Sequence, residues 1–305
     1  MIELRVRNKV SKEELDSKIG KVMPDEDVSV QLTGPTFLKK ANGDPLMIYL
    51  PQAIPEEMAE IARPILRTVK ATSTTRGNAG GGKVNYQRET AKISDARGAG
   101  NPVKMQQIGS MEKLAGNVGY PVCRLTAWTG KNAERFRELY PYFQFIGDKM
   151  REYVPDRYSA QMSVVRKTEP EWVLPNTPFT TVTVNNTYPT GVHVDKGDLG
   201  EGFSCLSVLR KGDYKGAIFH LAEYKIGVNL QDRDLILMDA QGDLILMDAH
   251  QWHGNTELIR ESDDAERISV VLYYRTKIAE CGTATEEEKA MLSMWDERVG
   301  FGEGE

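Results

Sequence analysis

Two histidines and an aspartate in this chain have the types and spacing of metal ligands. His193 and Asp195 are separated by one residue, and His253 follows in a later segment. Side chains two positions apart in an extended segment point the same way, so the first two can share one side of a metal ion. Two imidazoles and one carboxylate leave the opposite positions open, which non-haem Fe(II) oxygenases use for a co-substrate and O₂. The spacing therefore predicts an Fe(II) site at these three residues.

An arginine and a serine open an apolar segment downstream of His253. Residues 267–274 read Arg-Ile-Ser-Val-Val-Leu-Tyr-Tyr, a composition typical of a strand. Arg267 and Ser269 would lie on one face of that strand. Because a guanidinium forms bidentate ion pairs with carboxylates, Arg267 is a candidate anchor for a dicarboxylate co-substrate.

Length and composition are those of an ordinary globular protein, with 305 residues, 40% hydrophobic and 27% charged. No apolar run approaches the length of a membrane span, and residues 1–5 lack the layout of a signal peptide, so we expect no membrane partner. Cys123, Cys205 and Cys281 are widely spaced and form neither a zinc signature nor a disulfide framework. We therefore expect reduced thiols in a cytoplasmic protein.

Positive charge is concentrated in one segment. Residues 70–104 contain seven cations against two anions, a local charge of +5 that leaves −10 on the rest of a chain whose net charge is −5. A basic segment on an acidic body is typical of an arm that faces DNA, and Arg76, Lys83, Arg88 and Arg97 are its candidate phosphate contacts. The same region, 71–119, is rich in Gly, Ser, Thr and Asn, so a flexible linker is an open alternative.

The elements that must position these residues change in type along the chain. Ser11 and Glu14 form a capping box that predicts a short helix, and residues 28–32 and 46–50 read as strands that could pair. Helical periodicity predicts a helix over 132–153. Short strands separated by turns follow, a pattern typical of a jelly-roll barrel. They are predicted at 161–165, 179–184, 190–194, 203–209, 217–221, 226–230, 235–238 and 268–274.

These elements predict an α+β fold with a double-stranded β-helix core. We expect an α/β lead-in over 1–69, a basic Gly-rich arm over 70–119, the barrel with supporting helices over 120–280, and a C-terminal helix and tail over 281–305. One local feature stands apart: residues 234–240 recur without change as residues 243–249. Only one copy can be the strand that leads to His253, and proximity favours the second.

With these motifs in hand, the chain resembles the TET/JBP family, whose members oxidise the 5-methyl group of pyrimidines in DNA with Fe(II), 2-oxoglutarate and O₂. The resemblance covers about residues 45–275 and includes the H-x-D motif, the sequence 248–256, residues 120–126 and residues 179–185. It implies that His193, Asp195 and His253 hold the metal, that Arg267 anchors 2-oxoglutarate and that Ser269 hydrogen-bonds it. His253 opens the His-Gly-Asn-Thr form of the family's distal ligand, which favours it over His250.

The resemblance implies an enzyme that flips 5-methylcytosine out of DNA and hydroxylates its methyl group, with further oxidation left open. Thymine hydroxylation on DNA is the nearest alternative, because the two bases differ only on the Watson–Crick edge. A dioxygenase acting on a non-DNA substrate and a non-catalytic DNA-binding module are the others. His220, in an apolar strand, is expected to be a satisfied structural imidazole. The sequence predicts no oligomeric state.

Overall fold

The computed structural model describes residues 1–69, 105–113, 121–195, 197–239 and 251–299. Helices and strands alternate in the first half of the chain, and strands dominate the second. The helices are α1 Lys12–Lys18, α2 Glu56–Leu66, α3 Ala127–Lys131, α4 Ala133–Glu138, α5 Tyr140–Tyr153, α6 Pro155–Val165 and α7 Ala284–Val299. The strands are β1 Ile2–Arg5, β2 Val30–Leu32, β3 Thr36–Lys39, β4 Pro45–Leu50, β5 Met105–Met111, β6 Arg124–Leu125, β7 Thr181–Asn186, β8 Phe203–Lys211, β9 Tyr214–Gly216, β10 Phe219–Leu221, β11 Ile226–Val228, β12 Leu235–Asp239, β13 His253–Asn255, β14 Leu258–Arg260 and β15 Glu266–Tyr273.

Two sheets form the core of the part that the structure describes. The larger has nine strands in the order β1-β3-β4-β12-β8-β15-β7-β5-β6, and the smaller has four in the order β13-β10-β11-β2. Residues from both sheets line one cavity, so the sheets enclose it between them. This α+β arrangement with a jelly-roll core confirms the predicted fold class.

Strand alternation divides the large sheet into a helix-covered face and a cavity face. On β15, Ile268, Val270 and Leu272 are fully buried in the cluster that also contains side chains of α2 and α5. The residues between them point the opposite way, and Ser269 and Tyr273 line the cavity. The helices therefore fix β15 so that its polar residues face the interior of the barrel.

The structure corrects several local expectations. Residues 161–165 are not a strand but the last turns of α6, because Pro155 starts a helix and short apolar runs do not separate helix from strand. Strands β2 and β4 do not pair with each other: β2 joins β11 in the small sheet, and β4 joins β3 and β12 in the large one. Residues 190–194 form only isolated bridges.

The helix predictions hold with shifted boundaries. Ser11 caps α1 by accepting a hydrogen bond from the backbone N–H of Glu14 at 3.2 Å. The helix predicted over 132–153 is divided at Leu139 into α4 and α5, with Pro141 in the first turn of α5. The C-terminal capping box is formed by Thr283 and Glu286, one turn-half earlier than a box starting at Thr285 would be.

The first copy of the repeated sequence is a core strand. It forms β12, which lies between β4 and β8 and has every residue buried. The second copy, residues 243–249, lies outside the described residues, so its predicted role in leading to His253 stays a prediction. No helix in the described ranges combines the length and apolar character needed to span a bilayer.

The expectation of three reduced thiols was wrong. Cys123 and Cys281 form a disulfide across a sequence separation of 158 residues, with their Cα atoms 5.9 Å apart. The fold brings them together in a small buried cluster with Trp172 and Ile278. Sequence spacing does not reveal such contacts. Cys205 is a buried free thiol, as expected.

Candidate active site

His193 and His253 lie opposite each other on adjoining backbone segments. Each backbone N–H donates to the carbonyl of the other, at 2.9 and 3.0 Å, and the ring centroids are 4.4 Å apart. The Asp195 carboxylate lies 3.7 Å from Nε2 of His193 and 3.6 Å from Nε2 of His253. One ligand atom from each residue falls within 4.8 Å of the others. The structure thus brings together the three residues that the sequence predicts as metal ligands.

Backbone carbonyls orient both imidazoles. The Nδ1–H of His193 donates to the carbonyl of Gly191 at 2.7 Å, and the Nδ1–H of His253 donates to the carbonyl of Gln251 at 2.9 Å. Because a carbonyl only accepts, the proton must be on Nδ1 in each ring, which leaves the Nε2 lone pairs directed at the Asp195 side. Two neutral imidazoles and one carboxylate on one side of an empty volume fit a divalent iron ion.

Gly254 allows the two histidine-bearing segments to approach. A Cβ atom at this position would lie 3.0 Å from the carbonyl carbon of Gly191 and 3.0 Å from the backbone nitrogen of Val192. Asn255 then ties the segments together, because its Oδ1 accepts from the N–H and the hydroxyl of Thr190 at 3.2 and 2.9 Å. The His-Gly-Asn sequence therefore has a structural reason at each position.

The cavity beside the three ligands is lined mainly by polar residues of the large sheet. Asn185 Nδ2 donates to the Ser269 hydroxyl at 3.1 Å, while its Oδ1 is buried without a partner among the described residues. The Thr183 and Tyr273 hydroxyls lie 3.0 Å apart. The sequence analysis had singled out Ser269 in this group, and alternation along β7 and β15 is the signal that could have found the others.

Arg267 lies on β15 two residues before Ser269 and is 2% exposed. Its Nε and Nη2 have no hydrogen-bond partner in the described parts of the chain. Burial lowers the pKa of the guanidinium, and the nearby Tyr214 hydroxyl opposes that effect. A buried cation with a free bidentate edge fits a carboxylate ligand, as the sequence predicts.

The remaining predicted residues are not brought to this site. Arg76, Lys83, Arg88 and Arg97 lie outside the described residues, as does His250. His220 is buried as expected, but neither ring nitrogen has a hydrogen-bond partner among the described residues, so the expectation of a satisfied imidazole was wrong.

The fold and the site together define a non-haem oxygenase that uses Fe(II), 2-oxoglutarate and O₂. The family model for Tet/JBP proteins, described as the oxygenase domain of the 2OGFeDO superfamily, matches residues 116–276. This range is more than half of the chain. The chain belongs to the Tet/JBP family.

Individual relatives resemble this chain over most of its length. Thymine dioxygenase JBP1 of Trypanosoma brucei brucei is 28% identical over 275 residues, which are 89% of this chain and 29% of that protein. Thymine dioxygenase JBP1 of Leishmania braziliensis is 25% identical over 257 residues, 83% of this chain and 28% of the relative. The chain therefore spans less than a third of the length of these relatives.

Among solved structures, NgTET1 in complex with 5mC DNA has a TM-score of 0.57 to this chain, with 86% of each chain covered. The two sequences are 14% identical, so the similarity concerns the fold.

Proposed function

We propose that this protein oxidises the 5-methyl group of 5-methylcytosine in DNA. The observation that carries the proposal is the convergence of His193, Asp195 and His253 beside a polar cavity, with the unpaired edge of Arg267 on the same strand face as Ser269. Thymine in DNA is the second candidate, because the relatives named above are thymine dioxygenases. Further oxidation of the first product is left open.

In this proposal each residue has a defined part. The Nε2 atoms of His193 and His253 and the Asp195 carboxylate hold Fe(II). With 2-oxoglutarate and O₂, the iron supplies the oxidant that cleaves a C–H bond. Arg267 holds the distal carboxylate of 2-oxoglutarate through a bidentate ion pair, and the Ser269 hydroxyl donates a hydrogen bond to the co-substrate. The two sheets exclude water from the bound co-substrate.

A methyl group inside a duplex cannot reach a cavity between two sheets, so the base must leave the stack. The DNA backbone must then be held outside the cavity. We propose residues 70–104 for this contact because their charge is opposite to that of the rest of the chain.

The central test uses purified protein, Fe(II), 2-oxoglutarate and DNA that contains either 5-methylcytosine or only thymine. Nucleosides are identified by mass spectrometry after digestion. We expect 5-hydroxymethylcytosine from the first DNA; 5-hydroxymethyluracil from both would make thymine the substrate. Absence of any oxidised base, with 2-oxoglutarate still consumed, would contradict a DNA substrate.

Matched variants assign the roles. Asp195→Ala and His253→Ala should abolish turnover of 2-oxoglutarate without unfolding the protein, whereas His250→Ala should retain it. The opposite result for the two histidines would transfer the ligand role to His250. Arg267→Ala should raise the 2-oxoglutarate requirement about a hundredfold, because a buried charge-assisted pair is lost.

The DNA contact has its own test. Neutralising Arg76, Lys83, Arg88 and Arg97 together should weaken DNA binding for all sequences and flatten its dependence on salt, by a slope of about 0.9 per lost phosphate contact on duplex DNA. Uncoupled consumption of 2-oxoglutarate should continue. An unchanged salt slope would mean that other parts of the protein hold the DNA.

A further inference from the structure

Tyr214, the first residue of β9, lies beside Arg267 and is 4% exposed. Its ring is held from one side by Arg210, whose guanidinium carbon lies 3.9 Å from the ring centroid. Arg210 is itself fixed, because Nη2 donates to the Tyr214 carbonyl and Nη1 donates to Gln231 Oε1, both at 3.0 Å. The ring therefore has little freedom, and its hydroxyl has a set position.

That hydroxyl has no hydrogen-bond partner among the described residues. It is close enough to Arg267 to raise the pKa of the guanidinium against the larger effect of burial, yet Nε and Nη2 of Arg267 also lack partners there. A buried hydroxyl and a buried cation rarely stay unpaired, because each loses its water without gaining a bond. Three polar atoms thus surround a place for one missing acceptor.

The chemistry of that acceptor follows from two other arginines in this chain. Arg67 uses Nε and Nη2 to bind the Glu266 carboxylate, at 2.7 and 2.6 Å, and Arg275 uses the same two atoms to bind Glu112. The unpaired edge of Arg267 is this same edge. Since Arg210 lies opposite Arg267 across the β8–β15 pairing, the surroundings add positive charge. The missing group is therefore a carboxylate.

We propose that Tyr214 is a positioning residue for the co-substrate, and that its hydroxyl donates a hydrogen bond to the distal carboxylate of 2-oxoglutarate beside the bidentate contact from Arg267. This inference rests on the proposed function. It has a consequence for selectivity: Tyr214 stabilises only 2-oxo acids that carry a second carboxylate.

The test compares two ligands and two variants. Binding to the Fe(II)-loaded protein is measured without oxygen by titration calorimetry, with 2-oxoglutarate and with 2-oxopentanoate, whose chain has the same length but ends in a methyl group. Tyr214→Phe should weaken 2-oxoglutarate binding by about tenfold or more, a change of about 1.4 kcal/mol, and should change 2-oxopentanoate binding less than about twofold. Tyr214→Leu, which also removes the ring, should show the same loss of selectivity.

Tyr142→Phe is the matched control, because it removes a buried tyrosine hydroxyl that is bonded to Ser207. It should leave both affinities unchanged. The thermal stability of the ligand-free protein gives an independent readout: Tyr214→Phe should leave the Tm unchanged or raise it, since the deleted hydroxyl has no partner to lose.

Three results would overturn the inference. One is unchanged 2-oxoglutarate affinity in Tyr214→Phe. Another is equal weakening of both ligands, which would remove the distal carboxylate from the explanation. The third is a lowered ligand-free Tm with unchanged affinity, which would make the hydroxyl a structural partner of Arg267. If the unmodified protein binds neither acid, the proposed function fails and the inference with it.

Discussion

His220 should make the protein sensitive to mild acid. Its ring is 1% exposed, and both nitrogens lack hydrogen-bond partners among the described residues. Burial lowers its pKa from 6.5 to about 4; the charge of Asp27 opposes this, and Lys18 and Lys225 add to it. Between these two pKa values the unfolded chain binds more protons than the folded one, so stability falls as the pH falls through this range.

The size of the effect follows from the two pKa values. A displacement from 6.5 to about 4 makes the contribution of His220 about 2 kcal/mol less favourable at pH ~5 than at pH ~7. The charged imidazolium would otherwise have to remain in a site without an acceptor. For a protein of ordinary stability, this is a large part of the total.

The assay is urea unfolding at these two pH values for the unmodified protein, His220→Leu and His220→Asn. Both variants should lose about 2 kcal/mol less on acidification than the unmodified protein. His220→Leu should also be at least as stable near neutral pH, because it removes two unpaired polar atoms. The other histidines and the carboxylates are the same in all three proteins, so their titration cancels in the comparison. Equal acid losses in all three would refute the reasoning.

Three further outcomes follow from the structure. Gly254→Ala should weaken Fe(II) binding about tenfold, measured by chelator competition, because its Cβ would lie 3.0 Å from backbone atoms beside His193; unchanged affinity would show that the segments separate freely. Glu112→Gln should destabilise the protein by about 3 kcal/mol or more in urea unfolding, because it leaves the buried Arg275 uncompensated, and a loss below about 1 kcal/mol would contradict a buried pair. Alkylation followed by mass spectrometry should label no cysteine in the native protein, since Cys123 and Cys281 are bonded and burial raises the pKa of the Cys205 thiol; native labelling of Cys123 would contradict the disulfide.

The sequence predicts the metal ligands well because their chemistry is local. His193 and Asp195 are two residues apart, and the Gly254 and Asn255 that follow His253 have positions fixed by the contact between the two segments. Strand alternation likewise places Arg267 and Ser269 on one face. These features depend on spacing within a few residues, which a single sequence records.

The other parts of the site depend on contacts between distant segments. Tyr214 approaches Arg267 only because β8 and β15 pair and the chain then turns into β9. The Cys123–Cys281 disulfide joins segments 158 residues apart. The pairing of β2 with the small sheet, and of β4 with the large one, is set in the same way by the whole fold. No local pattern in the sequence contains this information.

The unpaired atoms of Arg267 and Tyr214 connect the stability of the ligand-free protein with its proposed function. Each buried polar atom without a partner destabilises the fold, and both side chains are held in place by neighbours that do not supply an acceptor. A carboxylate that enters this place satisfies all three atoms together, so the same arrangement that weakens the ligand-free protein favours a dicarboxylate over a monocarboxylate. Selectivity for the co-substrate and instability in its absence then have one physical cause.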